Sequence, residues 1–183
     1  MTHPIHLETP RLHLRPWLPA DRVPFAALNA DPKVMEYFPA PLSRAESDAL
    51  ADRCQALIEA RGWGFWAVER QDGGGFIGMV GLHTPDGLPF PPCVEVGWRL
   101  AFRHWGRGYA TEAARAAVAF GFGTLDLPDI VAFTAETNLR SRRVMRRLGM
   151  AEAGGFDHPK VAEGSPLRRH RLYRLSRADW ETA

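Results

Sequence analysis

The 183-residue chain has only two cysteines, Cys54 and Cys93, too few for a disulfide framework or a thiolate zinc site. Its seven histidines show no metal-ligand spacing, so no metal is expected. It also lacks a charge imbalance. Lys and Arg number 23 against 21 Asp and Glu, a net +2, so the chain as a whole offers no attraction to nucleic acid or membrane. No apolar run approaches the length that spans a bilayer, and the opening "MTHPIHLETPRLHLRPW" has no apolar core of a signal peptide. The expectation is a cytoplasmic protein. There is no internal repeat and no low-complexity linker, and the length suits one domain with a substantial core.

What is present reads as alternating strands and helices. "RLHLRPW" alternates as a strand and ends at Pro16. The stretch from Ala20 to Phe38, interrupted by Pro24 and Pro32, predicts two short helices. A longer helix is expected from Ser43, with Glu46 three residues on as a capping box and Gly62 as the stop. Ala49, Leu50, Cys54, Leu57 and Ile58 are its expected buried stripe. "GFWAVER" and "GFIGMVGLH" flank "QDGGG" as a hairpin. A proline-rich loop, "TPDGLPFPPC", precedes the strand "VEVGWRL". An alanine-rich helix is expected from near Thr111 to Gly121–Gly123, then a strand "DIVAFTAET", a helix "NLRSRRVMRRLGM" stopped by Gly149, and a late strand "HRLYRLSR". This order predicts an α/β fold, one mixed, mostly antiparallel central sheet flanked by helices.

The chemistry concentrates around "WGRGYATEA". Gly106 and Gly108 permit tight backbone turns and close ligand approach, and a helix start supplies unpaired amides with a favourable dipole. Together these suit a phosphate group. The dinucleotide fingerprint would need a third glycine where Thr111 stands, and the P-loop needs Gly-Lys-Ser/Thr, which never occurs. Both known cradles fail.

"VEVGWRL", "WGRGYATEA" and "ETNLRSRRVMRRLGM" together resemble the GNAT superfamily of acyl-CoA-dependent N-acetyltransferases, most closely its ribosomal-protein N-terminal branch (RimJ/RimL-like). The likeness runs from "LETPRLHLRPW" to "LYRLSRADW". It implies a short N-terminal tail (1–8) and a GNAT domain (9–180). It implies acetyl-CoA as co-substrate, its diphosphate held by Trp105, Gly106, Arg107, Gly108, Tyr109 and Ala110, with Thr111 adding a hydroxyl and Arg103 beside them. Trp105 departs from the superfamily's Gln/Arg. The strand would offer the free edge groups of Trp98 and Leu100 to the pantetheine amides. Asn138 caps the second helix and is a coenzyme contact in the family. Five arginines crowd the eight residues Arg140 to Arg147. One or two would reach the adenosine 3′-phosphate, Arg142 being the one assigned, while a solvated basic face accounts for the rest.

Many GNAT enzymes place a tyrosine in that helix to protonate the departing thiolate; this chain has Met145 there. The resemblance assigns the role to Ser141 of the N-x-x-S motif instead, although a first-turn serine also bonds readily to nearby backbone. Glu95, between Val94 and Val96 on the strand beside the thioester, is the candidate base. A covalent route through Cys93 and an acceptor-lining His83 are weaker readings. The acceptor is a primary amine, by resemblance a protein N-terminal α-amine. Alternatives are a small-molecule amine, or an inactive coenzyme-sensing or RNA-binding module on the same fold. "MEYFPAPLS" and "HTPDGLPFPPC" are the expected acceptor walls. Homodimerisation is left open.

Overall fold

In the computed structural model the described residues are 5–182. Residues 1–4 of the expected tail lie outside them. Eight strands form one mixed sheet in the order β1-β2-β3-β4-β5-β6-β8-β7. The strands are β1 (Leu7–Glu8), β2 (Leu12–Arg15), β3 (Phe65–Arg70), β4 (Gly75–His83), β5 (Glu95–Leu100), β6 (Asp129–Ala135), β7 (Ala151–Asp157) and β8 (Arg169–Ser176). The helices are α1 (Arg22–Ala30), α2 (Arg44–Arg61), α3 (Tyr109–Gly123), α4 (Leu139–Arg147) and α5 (Arg177–Glu181). All neighbouring strands run antiparallel except β5 and β6, so the expected mixed, mostly antiparallel α/β sheet is what forms.

The β5–β6 junction decides the function. The two strands pair at a single position, Glu95 opposite Val131, with the Val131 amide donating to the Val94 carbonyl at 2.9 Å. Beyond it they part. Because backbone groups alternate sides along a strand, the groups of Trp98 and Leu100 face the gap as Val94 does. The alanines of α3 then explain how a helix packs close beside this opening. Ala113, Ala114, Ala117 and Val118 are fully buried, and Trp66 of β3 meets Phe120 edge-on at 5.5 Å. Small side chains let the helix sit low on the sheet.

Several local expectations change. The second of the two short helices before Ser43 is a succession of turns over 32–37, because Asp31 is extended ahead of Pro32. Val34 and Met35 are buried all the same, at 6% and 3% exposure. Helix α2 keeps its Ser43–Glu46 capping box and its Gly62 stop, but its buried stripe is Ser47, Ala51, Cys54 and Ile58. Ala49 and Leu57 face outward instead. Helix α3 starts at Tyr109, two residues before Thr111. Leu7 and Glu8, within the expected tail, pair with β2 as β1, and β7 and α5 were not anticipated.

Candidate acyl-transfer site

A cavity of about 930 Å³ is lined by residues of both β5 and β6, where the two strands part. On one side it meets the turn before α3. Gly106 (φ 73°) and Gly108 (φ 81°) hold left-handed conformations that side chains resist. A Cβ built on Gly106 would have no atom within 4 Å, so that face of the turn is open. Among the described residues, the amides of 106–111 have no backbone acceptor. The first to find one is Glu112, which donates to the Gly108 carbonyl at 3.0 Å. Six consecutive free amides at a helix start form an anion cradle.

The chain's own beginning holds this turn in shape. The Arg11 guanidinium donates to the Arg107 carbonyl (3.0 Å) and the Glu112 carboxylate (2.6 Å). The Arg11 amide and the Thr9 hydroxyl donate to the other Glu112 oxygen, at 3.0 and 2.7 Å. Burial would raise the Glu112 carboxyl, but these donors outweigh it and hold it below the ordinary range. Sequence reasoning missed Thr9, Arg11 and Glu112 as a unit, because the partners lie about a hundred residues apart.

Most expected coenzyme residues line the cavity: Trp98, Leu100, Trp105, Gly106, Gly108, Tyr109, Ala110, Thr111 and Asn138. Three do not. Arg142 turns away and spends its nitrogens on the Tyr173 hydroxyl (3.1 Å), the Glu136 carbonyl (3.0 Å) and Glu152 (3.4 Å). Arg103 donates to the His104 ring at 3.1 Å, and Arg107 contributes its backbone to the cradle rather than its side chain to the cavity. Arg140, Arg143 and Arg147 line the cavity in their place. The arginine cluster is thus divided between the cavity and the Tyr173 side rather than forming one basic face. Leu100 also differs from expectation, since its carbonyl already accepts from the Trp105 indole at 2.8 Å. Trp98 keeps its edge groups.

His104 was not foreseen. Arg103 donates to its Nε2, which places the ring proton on Nδ1, and that nitrogen is buried without a partner. Burial first, then Arg103 and other arginines, pushes its pKa down, so the ring is neutral. An orphaned donor beside six free amides fits an oxygen-rich, negatively charged group. The residues present therefore suit the coenzyme diphosphate.

Asn138 accepts from the Ser141 amide (3.2 Å) and donates to Thr134 of β6 (2.9 Å), fastening α4 to the sheet. The Ser141 hydroxyl, which local backbone bonding could have claimed, instead accepts from the Trp98 indole at 3.1 Å. Met145 is buried, 1% exposed. Glu95 lines the cavity with no ion-pair partner among the described residues, and burial alone pushes its carboxyl up to about 8. His83 also lines it, stacked on Phe65 at 5.4 Å. Cys93 does not; it packs with Phe90 in a small second core around Val131, Phe156 and Leu172.

Of the two expected acceptor walls, the first supplies Tyr37, Phe38 and Pro39. The second supplies His83, while the rest of the proline-rich loop lies outside the cavity lining and lays Phe90 against Phe156, edge-on at 5.1 Å. The cavity's other walls, Arg99, Phe133, His158, Lys160 and His170, carried no readable signal in the sequence. His158, pushed down to about 4 by burial and then by His170 and Lys160, is neutral. Among the described residues no helix is long and apolar enough to cross a membrane, and no group of side chains could hold a metal ion.

Comparison with known proteins agrees with this geometry. The family described as "Acetyltransferase (GNAT) domain" matches residues 11–151. The uncharacterized protein YkkB of Bacillus subtilis is 32% identical over 145 residues, covering 79% of this chain and 84% of its own. The FsC-acetyl coenzyme A-N(2)-transacetylase of Aspergillus fumigatus is 27% identical, over 95% and 77% of the two chains. Among solved structures, an acetyltransferase from Agrobacterium tumefaciens superposes with a TM-score of 0.78 at 28% identity over 97% of each chain. The RimJ of Mycobacterium smegmatis, in complex with CoA-disulfide, shares the fold at a TM-score of 0.76 and 18% identity, over 96% and 89% of the chains. The free amides before α3, the split between β5 and β6 and the family match converge: the chain belongs to the GNAT family and is an acetyl-CoA-dependent acetyltransferase.

Proposed function

We propose that the enzyme transfers acetyl to the α-amine of a polypeptide N-terminus. The observation that carries this reading is Glu95: an unpaired carboxyl in the cavity, pushed up to about 8 by burial. Acetyl-CoA supplies an activated acyl group whose leaving thiolate has a reference pKa near 8.5, so only the amine and the departing sulfur need help. A base is most effective when its pKa lies near that of its partner and the working pH. An α-amine has a reference pKa of about 8 and a lysine amine about 10.4, so an α-amine gives up its proton to such a base the more readily.

The free amides of 106–111 hold the diphosphate, and the Trp98 edge groups meet the pantetheine. Glu95 takes the proton from the attacking amine. The Ser141 hydroxyl, its oxygen already accepting from Trp98, is left with its O–H to donate to the sulfur. A named relative supports the acceptor class: the putative ribosomal N-acetyltransferase YdaF of Bacillus subtilis, 30% identical over 110 residues. A small-amine reading is supported by the Aspergillus transacetylase, which matches over more of this chain.

The test is thiol release from acetyl-CoA with matched acceptors: peptides with a free N-terminus, the same peptides blocked but carrying lysine, and simple alkylamines. Turnover confined to free N-termini is expected. Faster turnover of lysine side chains or alkylamines would overturn the reading.

A further inference from the structure

Glu95, Gly97 and Arg99 alternate along β5 and share the face opposite Trp98. Arg99 lines the cavity yet meets no carboxylate among the described residues. Its Nη1 donates to the Asn29 side-chain oxygen at 2.7 Å, its guanidinium carbon lies 4.2 Å from the centre of the Phe38 ring, and its Nε is buried without a partner. A cation placed this way is costly unless something compensates it.

The surroundings are built to hold that cation in place. Asn29 is fully buried, and its amide nitrogen donates to the Ser47 hydroxyl at 2.9 Å. Ser47 is itself fully buried, the polar member of the α2 stripe. The chain Ser47, Asn29, Arg99 therefore turns the amide oxygen toward the guanidinium and leaves the remaining donors unspent. Burial lowers the Arg99 pKa to about 10, so it remains a cation at neutral pH. Between Glu95 and Arg99 the floor is Gly97, on which the Phe65 ring rests; a Cβ there would stand 3.0 Å from it.

We propose that Arg99 recognises a carboxylate carried by the acceptor amine, several bonds from the reacting nitrogen. Glu95 and Arg99 stand four positions apart on one strand face, about 13 Å between Cα atoms, so an acceptor that meets both carries its acid at some remove from its amine. An acceptor with its amine at Glu95, its body over Phe65 and its acid at Arg99 fits that spacing. Two sources share this chemistry: an acidic residue at the second or third position of a peptide, and a small ω-amino acid. This inference rests on the acetyl-transfer reading above.

The experiment compares each acid with its neutral amide: Ala-Glu and Ala-Gln peptides, both C-terminally amidated, and 6-aminohexanoate against 6-aminohexanamide. The wild type is expected to prefer the acid roughly 10- to 100-fold in kcat/KM, in whichever arm supplies the true acceptor. Arg99→Gln should bring that ratio close to one, and Arg99→Lys should restore part of it. Equal use of acid and amide by the wild type in both arms would overturn the proposal without needing any variant. So would a preference that survives both substitutions. If no amine is acetylated while the coenzyme binds, the transfer reading fails by itself. Calorimetric titration of the same acids and amides into the CoA complex then decides on Arg99: tighter binding of the acid sustains it, and equal binding removes it.

Discussion

The Trp98 indole nitrogen donates to the Ser141 hydroxyl oxygen at 3.1 Å, joining the middle of β5 to the first turn of α4 across the cavity. That bond occupies an acceptor position of the serine and leaves its proton available. Ser141→Ala is expected to lower kcat by about 10- to 10³-fold with little change in the KM for acetyl-CoA, the pattern of a contact made in the transition state. Trp98→Phe, which removes only the positioning donor, should cost less. The two effects should be strongly non-additive in the double variant, which a packing role for Trp98 would not produce. Single-turnover rates and melting curves on the same samples check this.

Glu95, the proposed base, is expected to set the pH dependence. As a base it acts ionised, so the wild-type rate should climb as pH rises through about 8 and then level off. Glu95→Gln should lose about 10²–10⁴ of kcat/KM and keep only the climb that comes from deprotonation of the α-amine acceptor itself. Stability runs the other way. The folded carboxyl holds its proton up to about 8, whereas the unfolded one releases it near 4.3. The contribution is therefore complete below the unfolded value and is lost as pH rises through the folded one. Melting temperatures at pH 6 and 9 should fall more for the wild type than for Glu95→Gln.

Breaking the clamp on the cradle should separate binding from chemistry. Glu112→Ala removes the three hydrogen bonds its carboxylate accepts from Thr9 and Arg11 and leaves the turn held by the Arg11–Arg107 bond. We expect coenzyme affinity to drop about tenfold and stability to fall by about 1–3 kcal/mol. Calorimetry with CoA and thermal melting measure the two. Unchanged affinity would mean the turn keeps its shape without the N-terminal segment.

The two thiols should differ in reactivity. Cys54 is 3% exposed and burial pushes it up to about 11, whereas Cys93 is half-buried at the second core. A thiol-specific chromophore should count one reactive cysteine per native chain and two in denaturant. Cys93→Ser should abolish the native count and leave acetyl transfer in place, since Cys93 does not line the cavity.

Features that depend on neighbours along the chain were legible from residue order alone. The Ser43–Glu46 capping box, the Gly62 stop, the hairpin around 71–74 and the glycine turn before α3 are set by local dihedral preference and helix-end chemistry, and each stands where the pattern puts it. Periodicity failed where burial is not periodic. Only Phe156 of β7 is buried, and its register shifts between Glu152 and Gly155, so no alternation marks it as a strand. Which side chains meet was settled by folding. It turned Arg142 to Tyr173 and Glu152, brought Arg140, Arg143 and Arg147 to the cavity, and gave the Leu100 carbonyl to Trp105. It also assembled Ser47, Asn29 and Arg99 from α2, α1 and β5. Such contacts arise from sheet register and helix packing between distant segments, and a buried polar group acquires its role only when its partner is folded beside it.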